Sequence, residues 1–193
     1  MLKDQAIELL KRTGVMQEGH FRLTSGRHSD RYMQCAHLFV SPYDSETVCL
    51  DLAMFFNPED FGKIDLVVGP ALGGVIMAYE MARVLKIKNI FAEREDGKMA
   101  LRRGFHVDSG ARVLVVEDVV TTGGSVREVI ELIRANGAEV VGVGSVVDRS
   151  DGAVDFGVPF HAMLSMKVDS WPADDCPLCK QGLPIVKPGS RKA

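Results

Sequence analysis

The chain is short of several features that would mark a specialised class of protein. It has four cysteines in 193 residues, Cys35, Cys49, Cys176 and Cys179, too few and too scattered for a disulfide scaffold. No apolar run approaches the roughly 20 residues that a membrane-spanning helix needs. The first stretch, MLKDQAIELLKRTG, lacks the unbroken apolar core and small-residue cleavage site of a secretory signal. These absences predict a reduced, cytoplasmic protein with no membrane partner. Positive charge is not in excess either: 23 Lys and Arg stand against 26 Asp and Glu, a net charge of −3. A nucleic-acid partner is therefore not expected, and any anion must be held by a local cluster or by backbone donors.

What is present suffices for one packed domain. Hydrophobic residues make up 46 % of the chain, enough to bury a core and to set disorder aside. At this length a single domain over residues 1–193 is the simplest reading. The first stretch has the spacing of an amphipathic helix with Ile7, Leu9 and Leu10 inward. A polar stretch over residues 19–30 leads to YMQCAHLF, which could form a strand. Residues 45–56 have helical spacing, with Ser45 as a plausible cap. Strands are expected at DLVVG, NIFAER, RVLVVED, EVVGVGSVV and FHAMLSM, and helices over residues 75–85 and at SVREVIELIRANG, which Gly137 ends. This alternation predicts an α/β fold with a central, mostly parallel sheet flanked by helices. Residues 95–110, charged and glycine-bearing, are long for a plain connection and read as a mobile lid.

The most informative segment is VLVVEDVVTTGGS. An apolar strand runs into Glu117 and Asp118, then Val119, Val120, Thr121, Thr122, Gly123, Gly124 and Ser125, and then a helix. Two carboxylates therefore stand at the carboxyl end of a parallel strand, where open α/β sheets bind ligands. The turn after them offers backbone N–H groups, three hydroxyls and a helix N-terminus, the parts of a phosphate cradle. Carboxylates beside such a cradle would repel a bare phosphate, but they suit a phosphorylated sugar whose hydroxyls donate to them. The plain alternative is a helix cap followed by a tight turn. No Lys follows the glycines as GK[ST] would require, and the GxGxxG spacing of dinucleotide sites is absent.

This segment resembles the phosphoribosyl pyrophosphate signature of the type I phosphoribosyltransferases along its whole length. Three further segments resemble the orotate phosphoribosyltransferases within that family: HFRLTSGRHSDRYMQCAHLF their N-terminal hood, VVGPALGGVIMAYEMARVL their pyrophosphate turn, and VVDRS the strand end that meets orotate. The resemblance implies the type I phosphoribosyltransferase fold, with an N-terminal helix and small hood over residues 1–40, the core sheet over 60–170 and a CPLC-containing tail over 171–193. It implies that phosphoribosyl pyrophosphate (PRPP) and orotate give orotidine 5′-phosphate and pyrophosphate in pyrimidine biosynthesis. The implied cofactor is Mg²⁺, held mainly by PRPP or pyrophosphate rather than by the protein. Carried over by position, Glu117 and Asp118 meet the ribose hydroxyls. Val119, Val120, Thr121, Thr122, Gly123, Gly124 and Ser125 bind PRPP, and Gly73 and Gly74 receive its pyrophosphate. Thr121, Arg149, Ser25 and Gly26 would face orotate. Arg94, Lys98, Arg102 and Arg103 are implied pyrophosphate ligands around the lid, Lys98 and Arg94 among the catalytic groups. A homodimer is implied as well. A purine-base phosphoribosyltransferase and a PRPP-sensing regulator are the alternatives.

The chain departs from the best-known orotate enzymes in three places. Gly73 and Thr24 stand where those carry lysine, and the lid reads EREDGKMALRRG instead of a Lys-rich pattern. CPLC supplies at most half of a tetrahedral zinc site, which Cys35, Cys49, His161 or a second subunit would have to complete. Two ordinary thiols are the simpler expectation, and a redox pair is less expected because this CxxC is not read as opening a helix after a strand. His20, His28, His37 and His106 are assigned no catalytic role. Met54, Met77 and Met81 are expected in the core, and KPGSRK as a basic tail.

Overall fold

The computed structural model describes residues 1–23 and 25–188, so Thr24 and residues 189–192 of the expected basic tail lie outside the described residues. Helix α1 (Lys3–Arg12) leads to a small antiparallel sheet of β1 (Met16–Arg22), β2 (His28–Met33) and, from far along the chain, β9 (Ser170–Trp171). A 3-10 turn, helix α2 (Pro42–Ala53) and the short α3 (Pro58–Phe61) follow. The larger sheet then forms from β3 (Leu66–Pro70), β4 (Lys88–Glu95), β5 (Lys98–Ala100), β6 (Arg112–Val120), β7 (Glu139–Asp148) and β8 (Phe160–Ser165). Helix α4 (Gly73–Leu85) links β3 to β4, α5 (Gly124–Ala135) links β6 to β7, and α6 (Pro177–Lys180) lies in the tail. The strand order is β5-β4-β3-β6-β7-β8, with only β5 antiparallel to its neighbour.

Burial explains why these strands read as continuous apolar runs. Leu114 and Val116 of β6 enter a core with Leu10, Leu52, Met77 and Met81, whereas Val113 and Val115 enter a second core with Val129, Ile133 and Val143. A strand whose two sides both face cores has no polar positions to alternate. Helix α5 meets the second core with Val126, Val129, Ile130 and Ile133, the i, i+3, i+4, i+7 stripe of an amphipathic helix.

Several expectations are corrected. The hood contains two strands, β1 and β2, where a single strand at YMQCAHLF was expected. Of that run only Tyr32 and Met33 are in β2, and Cys35–Val40 is a 3-10 turn. Both strands lie in a small sheet with one wet side, so their sequence is polar and easy to miss. Helix α2 is capped by Ser41, whose Oγ accepts from Asp44 N at 3.3 Å, with Pro42 in the first turn; Ser45 is buried one turn inside. Met77 and Met81 are fully buried, but Met54 is 75 % exposed at the outer end of α2. Residues 95–110 do not form a plain loop: Glu93–Glu95 of β4 pair with Lys98–Ala100 of β5 in a hairpin turned by Asp96 and Gly97. Cys176 caps the four-residue α6, so the CxxC does open a short helix.

Candidate active site

The chain direction fixes where a crevice opens. From β3 the crossover through α4 runs to β4 on one side, and from β6 the crossover through α5 runs to β7 on the other. The carboxyl ends of β3 and β6 are therefore the switch point of the sheet, the place where open α/β folds leave room for a ligand. The turn after β3, the loop after β6 and the residue after β7 meet there. Arg149 is held beside the second by a backbone hydrogen bond from its N to Val120 O, 2.8 Å. Contact between the first two is so close that a Cβ on Gly73 would lie 2.3 Å from Asp118 Oδ2. In this chain the Asp118 carboxylate occupies the space that a side chain at Gly73, the position where the best-known orotate enzymes carry lysine, would take.

A pocket of about 280 Å³ lies over the loop, lined by Glu117, residues 119–126, Arg94 and Glu128. Gly123 begins α5 with φ +75°, and a Cβ there would meet Phe156 at 2.7 Å and Val154 at 2.9 Å. No side chain caps the first turn of α5, so its N–H groups face the pocket without an internal acceptor. Arg127 braces the loop from outside, donating from Nη1 to Thr122 O and from Nη2 to Asp155 O, both 2.8 Å. The sequence contained Arg127 and Glu128 with nothing to distinguish them from solvated helix charges.

Glu117 and Asp118 are adjacent and partly buried. Burial raises the pKa of Glu117 well above the carboxylate range, and the Asp118 charge raises it further; burial also raises Asp118. Holding both groups ionised in the free protein is therefore costly. Backbone donors orient them, Asp118 N to Glu117 Oε1 at 3.2 Å and Val119 N to Asp118 Oδ1 at 2.8 Å. Such a pair is poised to accept hydrogen bonds from a ligand's hydroxyls or to offset a nearby positive charge.

Arg149 follows β7 at the same edge. Its Nε is buried and without a hydrogen-bond partner, and burial lowers its pKa, although a guanidinium stays cationic. No carboxylate pairs with it among the described residues. Asp148 turns away, accepting from Ser150 N at 2.8 Å and Gly152 N at 2.9 Å. Cys35 lies close enough for its buried thiol to feel Asp118, Glu117 and Arg149, after the larger effect of its own burial.

The lid cations are placed unevenly. Arg94 lines the pocket, but it is forked onto Glu128 with two 2.8 Å bonds and also donates to Gly97 O at 2.7 Å. Arg103 holds Glu93 at 3.0 and 3.1 Å, and Arg102 approaches Glu95 at 3.2 Å. Lys98, exposed on β5, has no ion pair among the described residues. Ser25 and Gly26 sit in the turn between β1 and β2, closed by Gly26 N to Leu23 O at 2.9 Å and pinned by Arg27 to Ser170. None of the described hydrogen bonds joins this turn to the strand ends. The other expected zinc completers lie elsewhere: Cys49 is in the α2 core, and His161 stacks on Phe55 at 4.8 Å.

The phosphoribosyl transferase domain family matches residues 44–156. Orotate phosphoribosyltransferase of Caldanaerobacter subterraneus subsp. tengcongensis is 54 % identical over the whole of both chains. That of Thermotoga maritima is 56 % identical over 95 % of this chain and 97 % of its own. Among solved structures, orotate phosphoribosyltransferase from Aeropyrum pernix is similar with a TM-score of 0.67 at 30 % identity, covering 82 % of this chain and 92 % of that one.

Proposed function

The chain belongs to the orotate phosphoribosyltransferases of the phosphoribosyl transferase domain family, and from that premise we propose how its own residues carry out the transfer. The enzyme joins the ribose 5-phosphate of PRPP to orotate, releasing pyrophosphate. The observation that carries the reading is the pairing at one crevice of two kinds of group. A half-buried carboxylate pair and an open helix N-terminus suit a phosphorylated sugar, and a buried guanidinium with a free Nε suits an anionic base.

The 5′-phosphate sits on the N–H groups and hydroxyls of Thr121, Thr122, Gly123, Gly124 and Ser125, at the positive end of α5. The ribose hydroxyls donate to Glu117 and Asp118. As the bond to pyrophosphate breaks, positive charge grows on the ribose ring beside these carboxylates, and negative charge leaves toward the turn with Gly73 and Gly74. A ring nitrogen of orotate, held by Arg149 through its carboxylate, closes on the sugar carbon, and the proton it carried leaves with the departing pyrophosphate. No protein nucleophile is needed, since positioning and charge stabilisation do the work. Ser25 and Gly26 cover the base from the hood. Lys98 is the lid cation free to meet pyrophosphate; Arg94, Arg102 and Arg103 reach it only by leaving Glu128, Glu95 and Glu93. The hairpin of β4 and β5 closes over the site to keep water from the ring cation.

Mg²⁺, when bound with PRPP, would neutralise charge on the pyrophosphate. Held mainly by the pyrophosphate, it would find in Glu117, which lines the pocket, a hard oxygen donor of the kind that suits it. The protein acts as a homodimer. Leu50 and Met54 on α2 and Ile76 and Tyr79 on α4 are 52, 75, 52 and 61 % exposed, beside Leu72 at 87 % in the pyrophosphate turn. An apolar face of this kind, continuous with the site, fits a second copy of the chain. Light scattering at assay concentration should give twice the mass of one chain; a monomer overturns this arrangement. Among the described residues no helix is long and apolar enough to cross a membrane.

The test of the function is direct. With PRPP and Mg²⁺, the absorbance of orotate should fall as orotidine 5′-phosphate forms, while adenine, hypoxanthine, xanthine and uracil go unused. Turnover of a purine would keep the ribose phosphate site and overturn the role given to Arg149. Tight PRPP binding with no base consumed would make the protein a sensor.

A further inference from the structure

We propose that the hood and the tail are joined by a structural zinc ion held by His20, His28, Cys176 and Cys179. The four donor atoms all lie within 4.8 Å of one another, although the histidines and cysteines are about 150 residues apart in sequence. His20 Nε2 stands 3.1 Å from His28 Nδ1, 3.5 Å from Cys176 Sγ and 3.7 Å from Cys179 Sγ. His28 Nδ1 stands 3.3 Å from Cys179 Sγ. A tetrahedral zinc with bonds of about 2.0–2.1 Å to nitrogen and 2.3 Å to sulfur sets its ligand atoms roughly 3.3–3.8 Å apart. Four of the six edges thus lie within about 0.3 Å of that tetrahedron, and the remaining two pairs are within 4.8 Å, so small side-chain rotations close the set.

The surroundings point the same way. His20 is 4 % exposed, His28 7 % and Cys176 1 %, so most of the set is withdrawn from water. Nδ1 of His20 is 2.9 Å from Leu183 O and can donate only as N–H. That bond leaves the lone pair on Nε2, the atom facing the other three donors. Cys176 and Cys179 are three apart, across the cap and first turn of α6, which puts both sulfurs on one side. Cys179 is exposed, leaving a route for the ion to enter. Two imidazoles and two thiolates in a closed tetrahedron are the donor set of structural zinc, with no open position for catalysis.

Such an ion would act on the fold at a definite place. His20 and His28 flank the β1–β2 turn that bears Ser25 and Gly26. Cys176 and Cys179 belong to a tail that also pairs with β1, through Arg22 N to Val186 O and Val186 N to His20 O, both 2.8 Å. The metal therefore closes a loop of backbone that hydrogen bonds alone hold weakly, at the edge of a sheet only three strands wide.

The test uses the full chain, purified without a metal-affinity tag and with its thiols reduced, and reads metal content by mass spectrometry. About one zinc per chain is expected. Replacing zinc by cobalt(II) should produce the intense visible ligand-field bands of a tetrahedral site with a thiolate charge-transfer band. Because Cys176 is buried and its variant could fail to fold, the decisive variant is Cys179→Ala at the exposed ligand. It should lose at least tenfold in zinc affinity against a competing chelator and expose the tail to protease, with unchanged far-ultraviolet circular dichroism. A reduced protein that carries no zinc and takes none up, or a Cys179→Ala protein that binds it as tightly as the parent, overturns the proposal. Neither readout depends on which base the enzyme uses.

Discussion

Asp118→Asn and Glu117→Gln should each lower kcat by about 10²–10³-fold while making the free protein harder to unfold. The loss of rate follows from their place beside the ribose, where a fixed negative charge in a partly dehydrated site offsets the cation that forms as pyrophosphate leaves. The gain in stability follows from the raised pKa values. A carboxyl whose folded pKa lies above its unfolded value costs nothing below the ordinary carboxylate range. Above that range the folded state must either hold a proton that the unfolded chain has released or bear a second buried charge. Stability at this pair therefore falls as pH rises through neutrality, and a neutral amide removes the fall. Relief of roughly 1–2 kcal/mol would raise Tm by a few degrees in a chain of this length. The same linkage predicts that PRPP binding releases up to about one proton, because hydroxyl donors and Mg²⁺ favour the doubly ionised pair. Its affinity should accordingly rise with pH above the carboxylate range. Calorimetry in buffers of different ionisation enthalpy measures the release directly. Near-normal turnover in Asp118→Asn would remove the carboxylate from the ribose site, and a lower Tm in both variants would remove the repulsion.

The carboxylate pair was legible in the sequence because everything that positions it is local: an apolar strand, two acids, a glycine turn and a helix, all within residues 113–125. Arg149 was legible only through the resemblance of VVDRS to the strand end that meets orotate, since β7 ends in Asp148 and no local pattern sets the arginine apart from a surface charge. The zinc set was half visible. CPLC offered two candidate ligands, read there more simply as ordinary thiols; the other two proposed ligands sit on a hairpin at the opposite end of the chain, and no periodicity in either segment records that β9 pairs with β2. The lid hid its hairpin differently. EREDGKMA contains the Asp-Gly turn signal, yet β5 is three residues long and its flanks are charged, so the alternation that marks a strand is too short to register. Met54 misled because helical spacing marks an apolar stripe without saying which apolar stripe is inside. On α2 both faces carry such residues, Leu52 at 0 % exposure and Leu50 at 52 %. That ambiguity is itself informative, since a helix apolar on two sides has a second surface to cover.

Arg149→Ala should separate the two substrates. The guanidinium lies at the crevice edge with Nε unsatisfied, so an arriving carboxylate gains a charge-assisted bond without breaking an existing ion pair. Losing such a contact in a dehydrated site is worth about 2–4 kcal/mol, and kcat/KM for orotate should fall by roughly 30–1000-fold. The Kd for PRPP should stay within about twofold, because the phosphate cradle and the carboxylates are built from β6 and α5. The fold should survive, since the backbone bond from Arg149 N to Val120 O needs no side chain. Two controls separate recognition from architecture. Arg149→Lys keeps the charge but not the planar fork and should recover only part of the loss. Free guanidinium ion added to Arg149→Ala should restore some orotate turnover by filling the vacated space, which it would not do if the side chain merely held the strand end in place. An equal loss for orotate and PRPP, or a variant indifferent to guanidinium and as active as the parent, would assign the base carboxylate to another residue. In that event the hood turn with Ser25 and Gly26 becomes the place to look.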